Sequence, residues 1–436
     1  MKLAFITPRY GADITAGAEH ACRLLAEQVC ERHDVDVLTT CASDPSTWAN
    51  QTAEGADRMR GVVVRRFAVS QPHEADAFQR LTQRLADGPR SHPEELEWVR
   101  RLGPWSPGLL DHLKRLHKSY DALVFFSLFH PTTVHGLQIA PERSILFPFL
   151  SLQPALRFAL WSDVVSWPRA VGLFANSERR LLHSYVRAQP QHEELVGIGI
   201  DPLPQQTYPR HQQDPADNPI AEGEEAADDE PAEIGYLESR GVPFRRRNRL
   251  YGRFAVYSGR IEPDNGSEEM LEYFDTFAAE SDAAAPRTPL RAAESSDLSL
   301  VLTGVKMMKL PEESYVRVAG VLPDRDRMIA FEAADLSISP APDDLLAQPL
   351  LESFAVGTPV IASAVNDAAV EHCRRANAGL YYASREEFVE AMRMLTGNER
   401  LRERLGENGR AYIKQHFRWD AVLARFDRLL ARVRPR

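Results

Sequence analysis

The sequence predicts an α/β protein with two domains, each a mostly parallel sheet covered by helices. Its 436 residues, of which 44% are apolar, exceed what a single core usually accommodates. Short β-branched or aromatic runs alternate with longer helical patterns, which is typical of βαβ units. The alternation stops near residue 202 and resumes near residue 254, so we expect one domain on each side of that interruption.

The first domain, predicted over residues 1–201, opens with a βαβ unit. A strand over 3–7 precedes a helix over 18–32, whose apolar residues are spaced for one buried face. A second strand over 35–39 completes the unit. The same patterns predict strands over 62–67, 122–126, 144–147 and 171–175, and helices over 77–86, 107–117 and 178–187.

Residues 202–253 are rich in proline, glutamine and acidic side chains. Between 222 and 233 there are seven acidic residues and no lysine or arginine. Such a run cannot bury enough apolar surface to order itself, so a disordered insert is predicted. The basic run 245–249 either contacts the acidic run or is solvated separately. A second low-complexity insert covers residues 281–297.

The second domain, predicted over residues 254–415, is also Rossmann-like. Its predicted strands are 255–258, 298–303, 336–339, 359–362 and 379–382, and its predicted helices are 267–277, 324–332 and 348–356. The tail from 384 to 434 is largely helical in pattern. From Trp419 onward it is amphipathic, with Val422, Leu423, Phe426 and Leu430 on one face. We therefore expect residues 416–436 to cross back and pack on the first domain.

The composition excludes some classes of function. A net charge of −10 argues against nucleic-acid binding, which needs a basic surface. The four cysteines are not spaced as a disulfide framework, so a reduced cytoplasmic location is expected. The apolar N-terminal run is too short for a signal peptide, and no window reaches membrane length. Peripheral contact with a membrane is left open.

Ligands of open α/β sheets bind beyond the carboxyl ends of the strands, where helix N-termini favour anions. Three loops take that place here. The first ends in Gly17, just before a helix, and the second contains Arg260, whose guanidinium suits a phosphate. Ordinary turn geometry and a surface ion pair are the respective alternatives. In the third, Asp344 and Glu352 bracket a helix N-terminus suited to a diphosphate.

These motifs resemble the retaining family-4 glycosyltransferases of GT-B fold, also described as group 1 glycosyl transferases. The matching segments are Gly259-Arg260, Ser339-Pro340, Glu352, 355–360, Gly17-Ala18-Glu19, 33–38, 174–178, 197–201 and 417–420. The resemblance spans nearly the whole chain apart from the inserts. It implies two Rossmann-like domains facing a cleft, and transfer of a sugar from a nucleoside-diphosphate sugar with retention of configuration.

The resemblance also implies roles for individual residues. Glu352 is expected to hold the ribose of the donor and Arg260 its diphosphate. Asp344, with the backbone N–H groups of Leu345 and Leu346, is expected to touch the sugar. No metal or other cofactor is implied beyond the donor substrate.

The donor motif departs from the family pattern in several places. Asn265 replaces a lysine, Asp344 replaces a longer glutamate, and 345–347 replaces a Gly-Phe-Gly-like stretch. In the first domain, Ser151 and Leu152 stand where relatives place a histidine and an acid, so Ser151 marks the catalytic position. Each change alone is compatible with drift or retuned specificity.

Three further side chains are weaker candidates. Lys306 follows a predicted strand and either replaces the charge missing at Asn265 or is a solvated surface lysine. His130 and His135 follow the strand over 122–126, where they either contact an acceptor or form local hydrogen bonds.

The sequence therefore predicts a glycosyltransferase with an unknown glycan, lipid or small-molecule acceptor. The departures from the family pattern leave one alternative open, a catalytically impaired pseudo-glycosyltransferase that binds or scaffolds an active enzyme. A different enzyme on the same fold, such as an epimerase or a synthase, is also open, because fold alone does not determine chemistry.

Overall fold

In the computed structural model, the first domain is a mixed sheet with helices on both faces. The structure describes residues 1–15, 17–71, 73–201, 203, 234–284 and 298–433. The strands of this domain are β1 (Lys2–Ile6), β2 (Asp34–Thr40), β3 (Gly55–Met59), β4 (Val62–Phe67), β5 (Ala122–Phe126), β6 (Ser144–Phe147), β7 (Ala170–Leu173) and β8 (Glu193–Leu195). Its helices are α1 (Gly17–Val29), α2 (Ala75–Asp87), α3 (His92–Leu102), α4 (Pro107–Leu116), α5 (Pro131–Leu137), α6 (Leu160–Ser166) and α7 (Asn176–Leu181).

The first sheet has the order β3-β4-β2-β1-β5-β6-β7-β8. Its strands pair in parallel, except that β3 is antiparallel to β4. Alternate residues of β1 face opposite layers: Phe5 belongs to the layer under α1, and Ile6 to the layer under α4 and α5. Because these strands are parallel, their carboxyl ends all lie at the same edge of the sheet.

The second domain repeats this design with a fully parallel sheet, ordered β11-β10-β9-β12-β13-β14. Its elements are α8 (Ile234–Arg247), β9 (Arg253–Ser258), α9 (Ser267–Ala284), β10 (Leu298–Thr303), β11 (Val316–Gly320), α10 (Asp324–Ala333), β12 (Leu336–Ser339), α11 (Gln348–Val356), β13 (Val360–Ser363), α12 (Asp367–Ala376), β14 (Gly379–Tyr382), α13 (Arg385–Gly397) and α14 (Glu399–His416). A last helix, α15 (Trp419–Val433), follows this domain. The predicted fold class is thus confirmed.

The structure corrects the prediction for part of the insert over 202–253. Its C-terminal portion forms α8, and Phe244 and Leu250 are buried with Phe254 and Phe331 in one apolar cluster. Arg245 also donates hydrogen bonds to the carbonyls of Gly252 and Ala333. These apolar residues stand beside a run of charged residues in the sequence, so no apolar pattern was recognised there. The acidic run 222–233 and residues 285–297 lie outside the described residues, and the domain boundaries stay a prediction.

Sequence patterns missed several short elements. β3 is an exposed edge strand without apolar alternation, and β11 is the edge strand of the second sheet. The helices α3, α5, α6 and α12 were also not predicted. Within the described residues, no helix combines the length and apolarity needed to cross a membrane.

The helix α15 follows the second domain in sequence but packs on the first. It contacts β6, β7 and β8, and its Phe426 ring lies 6.1 Å from Phe5 and 6.3 Å from Phe147. Val422, Leu423, Phe426 and Leu430 are buried, as the amphipathic pattern predicts. At the junction, the ring of Trp419 lies where a side chain at Gly199 would be, so only glycine fits there.

Replacing Phe426 with alanine is expected to lower the free energy of unfolding by about 3–5 kcal/mol, because it leaves a cavity between α15 and the sheet. Urea unfolding measures this change. Arg428→Ala is the control on the same helix, because Arg428 forms a half-exposed ion pair with Glu194 at 2.6 Å. The control should lose no more than about 1 kcal/mol. Equal losses in the two variants would contradict the docking of α15.

Candidate active site in the interdomain cleft

The two domains meet at the N-terminal ends of α1 and α11. His20 of α1 and Gln348 of α11 lie 2.8 Å apart, from ring Nε2 to amide Oε1. Further contacts join α7 to α12, where Arg180 lies 3.2 Å from Asp367 and Asn176 bonds to Glu371. The loops that follow β1, β5, β6, β9, β10 and β12 all lie at strand carboxyl ends, which are the usual place for ligands.

Glu352, the predicted ribose ligand, is paired with an arginine. It is 4% exposed, and both its carboxylate oxygens accept from Arg327 of α10, at 2.7 Å from Nε and 2.6 Å from Nη2. Gln348 Nε2 also donates to Oε1 at 2.9 Å. This bidentate geometry is the strong form of the ion pair. A ribose hydroxyl would have to compete with Arg327 for these oxygens.

The pair belongs to a continuous set of hydrogen bonds across the cleft. Gln348 donates to Glu352, and its Oε1 accepts from Nε2 of His20. Nδ1 of His20 lies 3.3 Å from Nη2 of Arg23 and 3.2 Å from the carbonyl oxygen of Ile14. We call Arg23, His20, Gln348, Glu352 and Arg327 the cleft network. It joins α1 of the first domain to α10 and α11 of the second.

Asp344, the predicted catalytic acid, closes a turn. Its Oδ1 accepts from the backbone N–H of Ala347 at 3.1 Å. Burial raises the pKa of Asp344 to about 6, although hydrogen bonds from the N–H groups of Ala347 and Leu346 act in the opposite direction. Its carboxylate is therefore used, in this structure, to shape the loop that leads into α11.

The loop between Asp344 and α11 is tightly packed. Leu345 and Leu346 are 7% and 6% exposed, so both residues are packed against the rest of the protein. Ala347 has φ 45° and ψ 36°, a left-handed conformation that costs a residue with a Cβ about 1–2 kcal/mol. Asn366 holds the loop through hydrogen bonds to the carbonyls of Ala341 and Asp344. A glycine would relieve the conformational cost at position 347.

Asn265, at the position of the expected lysine, faces inward. Its amide Nδ2 donates to the hydroxyl of Tyr257 at 2.7 Å and to the carbonyl of Arg260 at 3.1 Å. The Tyr257 hydroxyl donates to the same carbonyl at 2.7 Å. Asn265 therefore fixes the loop after β9 and carries no charge toward the cleft.

Two cations remain near the end of β9. The side chain of Arg260 is 59% exposed and lies 3.0 Å from Glu262. Lys306 is exposed, and its backbone pairs in parallel with Ile261. The register brings Lys306 beside the Arg260 segment, so both charges lie at the same end of the sheet.

The first-domain side of the cleft contains Gly17 and Ser151. Gly17 begins α1 with φ 79°, and Glu19 in the first turn of α1 accepts from Arg9 at 3.0 Å. Ser151 is half-buried in the loop after β6, beside Leu152, which is 66% exposed.

Glu178 of α7 anchors the loop that carries Ser151. This fully buried carboxylate accepts from the N–H groups of Leu150 at 3.1 Å and Phe174 at 2.7 Å. Burial raises the pKa of Glu178 to about 7, against the opposing effect of these hydrogen bonds.

The two candidate histidines have different surroundings. His130 lies just before α5, and its Nδ1 is 2.6 Å from the carbonyl of Gly103. His135 lies within α5, edge-on to Trp105 at 5.3 Å, rather than on the loop that the sequence suggested. His135 packs against the Trp105 ring, and this contact gives the side chain a structural role.

Sequence reasoning missed the residues that bind the Glu352 carboxylate. Arg327 stands among several charged residues of α10, and its sequence neighbours give no sign that it turns inward. Gln348 and His20 come from distant segments whose meeting depends on the domain arrangement. The roles of Gly17, Arg260, Asn265, Lys306, Leu345 and Leu346 in donor binding, and of Asp344 and Ser151 in catalysis, stay predictions.

Comparison with known protein families finds a match within the second domain. Residues 244–412 match the family described as Glycosyl transferases group 1. The match begins within α8 and ends within α14, and so contains the loops with Arg260, Asn265 and Asp344. No curated protein sequence matches the chain.

Solved structures share the fold over nearly the whole chain. Sucrose-phosphate synthase from Thermosynechococcus elongatus is 14% identical, with TM-score 0.63, covering 99% of this chain and 98% of that one. HepE from Anabaena, in complex with UDP, is 12% identical, with TM-score 0.65 and coverage of 99% and 100%. α,α-Trehalose 6-phosphate synthase from Burkholderia multivorans is 12% identical, with TM-score 0.62 and coverage of 99% and 96%. The chain therefore has the GT-B fold.

Removing one partner of the Arg327–Glu352 pair is expected to be costly. Arg327→Met should lower the free energy of unfolding by about 3–5 kcal/mol, because the Glu352 carboxylate is then buried without its cation. Glu352→Leu should cost less, because Arg327 keeps an ion pair with Asp324 at 3.0 Å. The double variant should regain most of that loss. Urea unfolding of all four proteins measures the coupling. Strictly additive losses would show that the pair is not a unit.

Glu178 is expected to give the stability a specific pH dependence. Because its pKa is raised, the folded state binds this proton more tightly than the unfolded state does. The protonated Glu178 side chain therefore contributes to the free energy of unfolding below about pH 4.5, and this contribution is lost as the pH rises through about 7. The loss is on the order of 3 kcal/mol.

The comparison is between the wild type and Glu178→Gln, unfolded with urea at several pH values. The wild type and the control Glu97→Gln, on the surface of α3, should both show this decline, whereas Glu178→Gln should not. Parallel pH profiles for the wild type and Glu178→Gln would overturn the assignment.

Proposed function

We infer that this chain, whose second domain belongs to the group 1 family of glycosyl transferases, is an enzyme that transfers a sugar from a nucleoside-diphosphate sugar. The observation that carries this inference is the arrangement at the end of the second sheet. There α11, which has no acidic residue in its first turn, begins after β12 at the same edge of the parallel sheet as the loops after β9 and β10, which contain Arg260 and Lys306. Helix N–H groups and cations together suit a diphosphate.

Charge stabilisation is the main chemical task of such a site. When the sugar leaves, negative charge develops on the diphosphate, and we assign its stabilisation to Arg260, Lys306 and the N–H groups of α11. The positions of the donor and of the acceptor hydroxyl, rather than a resident cofactor or metal, then determine the rate. Retention of configuration follows from the resemblance to family 4 and belongs to the proposal.

The donor and the acceptor are proposed from separate observations. UDP-sugars come first among donors, because HepE has been solved with UDP and with UDP-glucose. The acceptor, a glycan, lipid or small molecule, is assigned to the first-domain side of the cleft. A cytoplasmic location is part of the same proposal, in keeping with four free cysteines.

A second candidate function is favoured by the state of Glu352. With both oxygens bound to Arg327, with Asp344 bound to its own loop, and with Asn265 uncharged, the donor contacts expected of the family are occupied or missing. A pseudo-glycosyltransferase that uses the fold to bind or scaffold an active enzyme would tolerate these changes. Nucleotide binding separates the two candidates.

The first test is binding of UDP, GDP, ADP and their glucose conjugates, measured by thermal shift and calorimetry. One nucleotide should bind saturably, and Arg260→Ala should weaken it about tenfold or more, because a charged hydrogen bond to phosphate is lost. Lys306→Ala should weaken it in the same direction.

The matched control is Arg404→Ala, which removes an exposed arginine of α14 that is remote from the loops of the cleft. It should leave nucleotide affinity unchanged. If no nucleotide binds at millimolar concentration, the transferase proposal fails and the pseudo-glycosyltransferase takes its place.

A further inference from the structure

A pocket of about 290 Å³ opens in the first domain, separate from the donor loops. It lies beyond the carboxyl ends of β5 and β6, between the loops that follow these strands and the helices α2 and α3. Phe129 and His130 come from the loop after β5, and Gln153 from the loop after β6. These strand ends face the cleft, so the pocket borders the acceptor side of the proposed site.

The walls of this pocket are aromatic. Trp98 stands edge-on to Phe129 at 6.4 Å and tilted against Phe78 at 5.3 Å. The polar side-chain atoms of Trp98 and Thr82 are already bonded, because Trp98 Nε1 donates to Thr82, and Thr82 donates to the carbonyl of Phe78. The interior of the pocket therefore offers ring faces and edges, which favour an apolar group.

One polar atom of the lining is available to a ligand. His130 is a lining residue, and its Nδ1 donates to the carbonyl of Gly103 at 2.6 Å. A carbonyl can only accept, so in the neutral ring Nε2 carries a lone pair. Burial lowers the pKa of His130, which keeps the ring neutral at physiological pH. Among the described residues, no group bonds to Nε2. A ligand hydroxyl can donate to it.

Size limits what enters the pocket. About 290 Å³ is at the low end for small-molecule sites, so it accommodates one ring or a short chain rather than a whole substrate. The remainder of the ligand extends past Gln153, whose half-buried side chain lies at the pocket. An apolar group inside and hydroxyls outside describe an amphiphilic glycoside.

We propose that this pocket binds the apolar group of an amphiphilic acceptor, while an adjacent acceptor hydroxyl donates a hydrogen bond to Nε2 of His130. This rests on the proposed function, because it specifies the acceptor of the same reaction. The shared chemistry is an apolar group linked to a sugar, and both aryl glycosides and alkyl glycosides have it.

The test measures binding of glucose, phenyl β-glucoside and octyl β-glucoside by calorimetry, without any donor. Both glycosides should bind at least about tenfold more tightly than glucose, because their apolar groups leave water. A preference for the phenyl compound indicates an aryl acceptor, and a preference for the octyl compound indicates an acyl or prenyl acceptor. Equal affinity for glucose and both glycosides would overturn the proposal.

Three variants locate the binding. His130→Asn keeps a donor for the Gly103 carbonyl but lacks Nε2, so it should weaken both glycosides about three- to tenfold. Gln153→Trp places a bulky ring at the pocket and should abolish binding. Leu116→Ala removes an exposed apolar side chain at the end of α4, outside the lining, and should change nothing. Loss of binding in Leu116→Ala together with retention in Gln153→Trp would place the glycosides outside the pocket instead.

UDP binding to the same preparations separates this inference from the proposed function. If UDP binds and the glycosides do not, the pocket proposal is wrong and the transferase proposal stands. If the glycosides bind in the pocket and no nucleotide binds, the pocket is a ligand site of a pseudo-glycosyltransferase, and its role as an acceptor site is refuted.

Discussion

The structure depends on one apolar cluster that runs through both domains. It begins under β1 and α1, continues across α15, and reaches α11 and α12 of the second domain. Because buried apolar area is the main favourable term in folding, this shared cluster connects the stability of the two sheets. The cleft loops are attached to elements on both sides of the cluster. Their mutual geometry is therefore set by the packing of α15 and by the turn at Gly199.

Charged contacts add direction to this apolar framework. The cleft network aligns α1 with α10 and α11, and Glu352 is its central acceptor. In a low-dielectric cleft such a carboxylate needs partners, whether they come from the protein or from a ribose. Here Arg327 and Gln348 provide them. The same residue thus serves domain alignment in this structure, and donor recognition in the proposed function, so binding would exchange one set of hydrogen bonds for another.

The sequence predicted the regular elements well, because their apolar periodicity is strong. The strands β4, β5, β6 and β12 and the helix α11 have the predicted bounds. Edge strands such as β3 were missed because an exposed strand at the edge of a sheet needs no alternation of apolar residues. The helix α8 was hidden by the charge around it. In each case the decisive contact is tertiary, and local sequence does not encode it.

For the candidate site, the sequence predicted which loops and helices carry the residues, but not the contacts of their side chains. Motif spacing placed Arg260, Asp344 and Glu352 on the correct loops and helix, because strand ends and helix starts follow from periodicity. It did not indicate that Arg327 would pair with the Glu352 carboxylate, or that Asn265 would donate to the Tyr257 hydroxyl. Such pairings join residues from separate βα units, and their partners emerge only when the sheet is assembled. The aromatic pocket beside His130 was unpredicted for the same reason, since four segments form it.

The position of α15 has a consequence for how the chain matures. A face of the first sheet, including Phe5 and Phe147, is covered by residues 419–433, which a ribosome makes after the entire second domain. Domains usually fold in the order of synthesis. The first domain of this chain instead emerges with an uncovered apolar surface, and it is completed only when the helix arrives. Newly made chains should therefore be sensitive to chaperone supply during that interval, and nonsense mutations late in the gene should impair the domain encoded first.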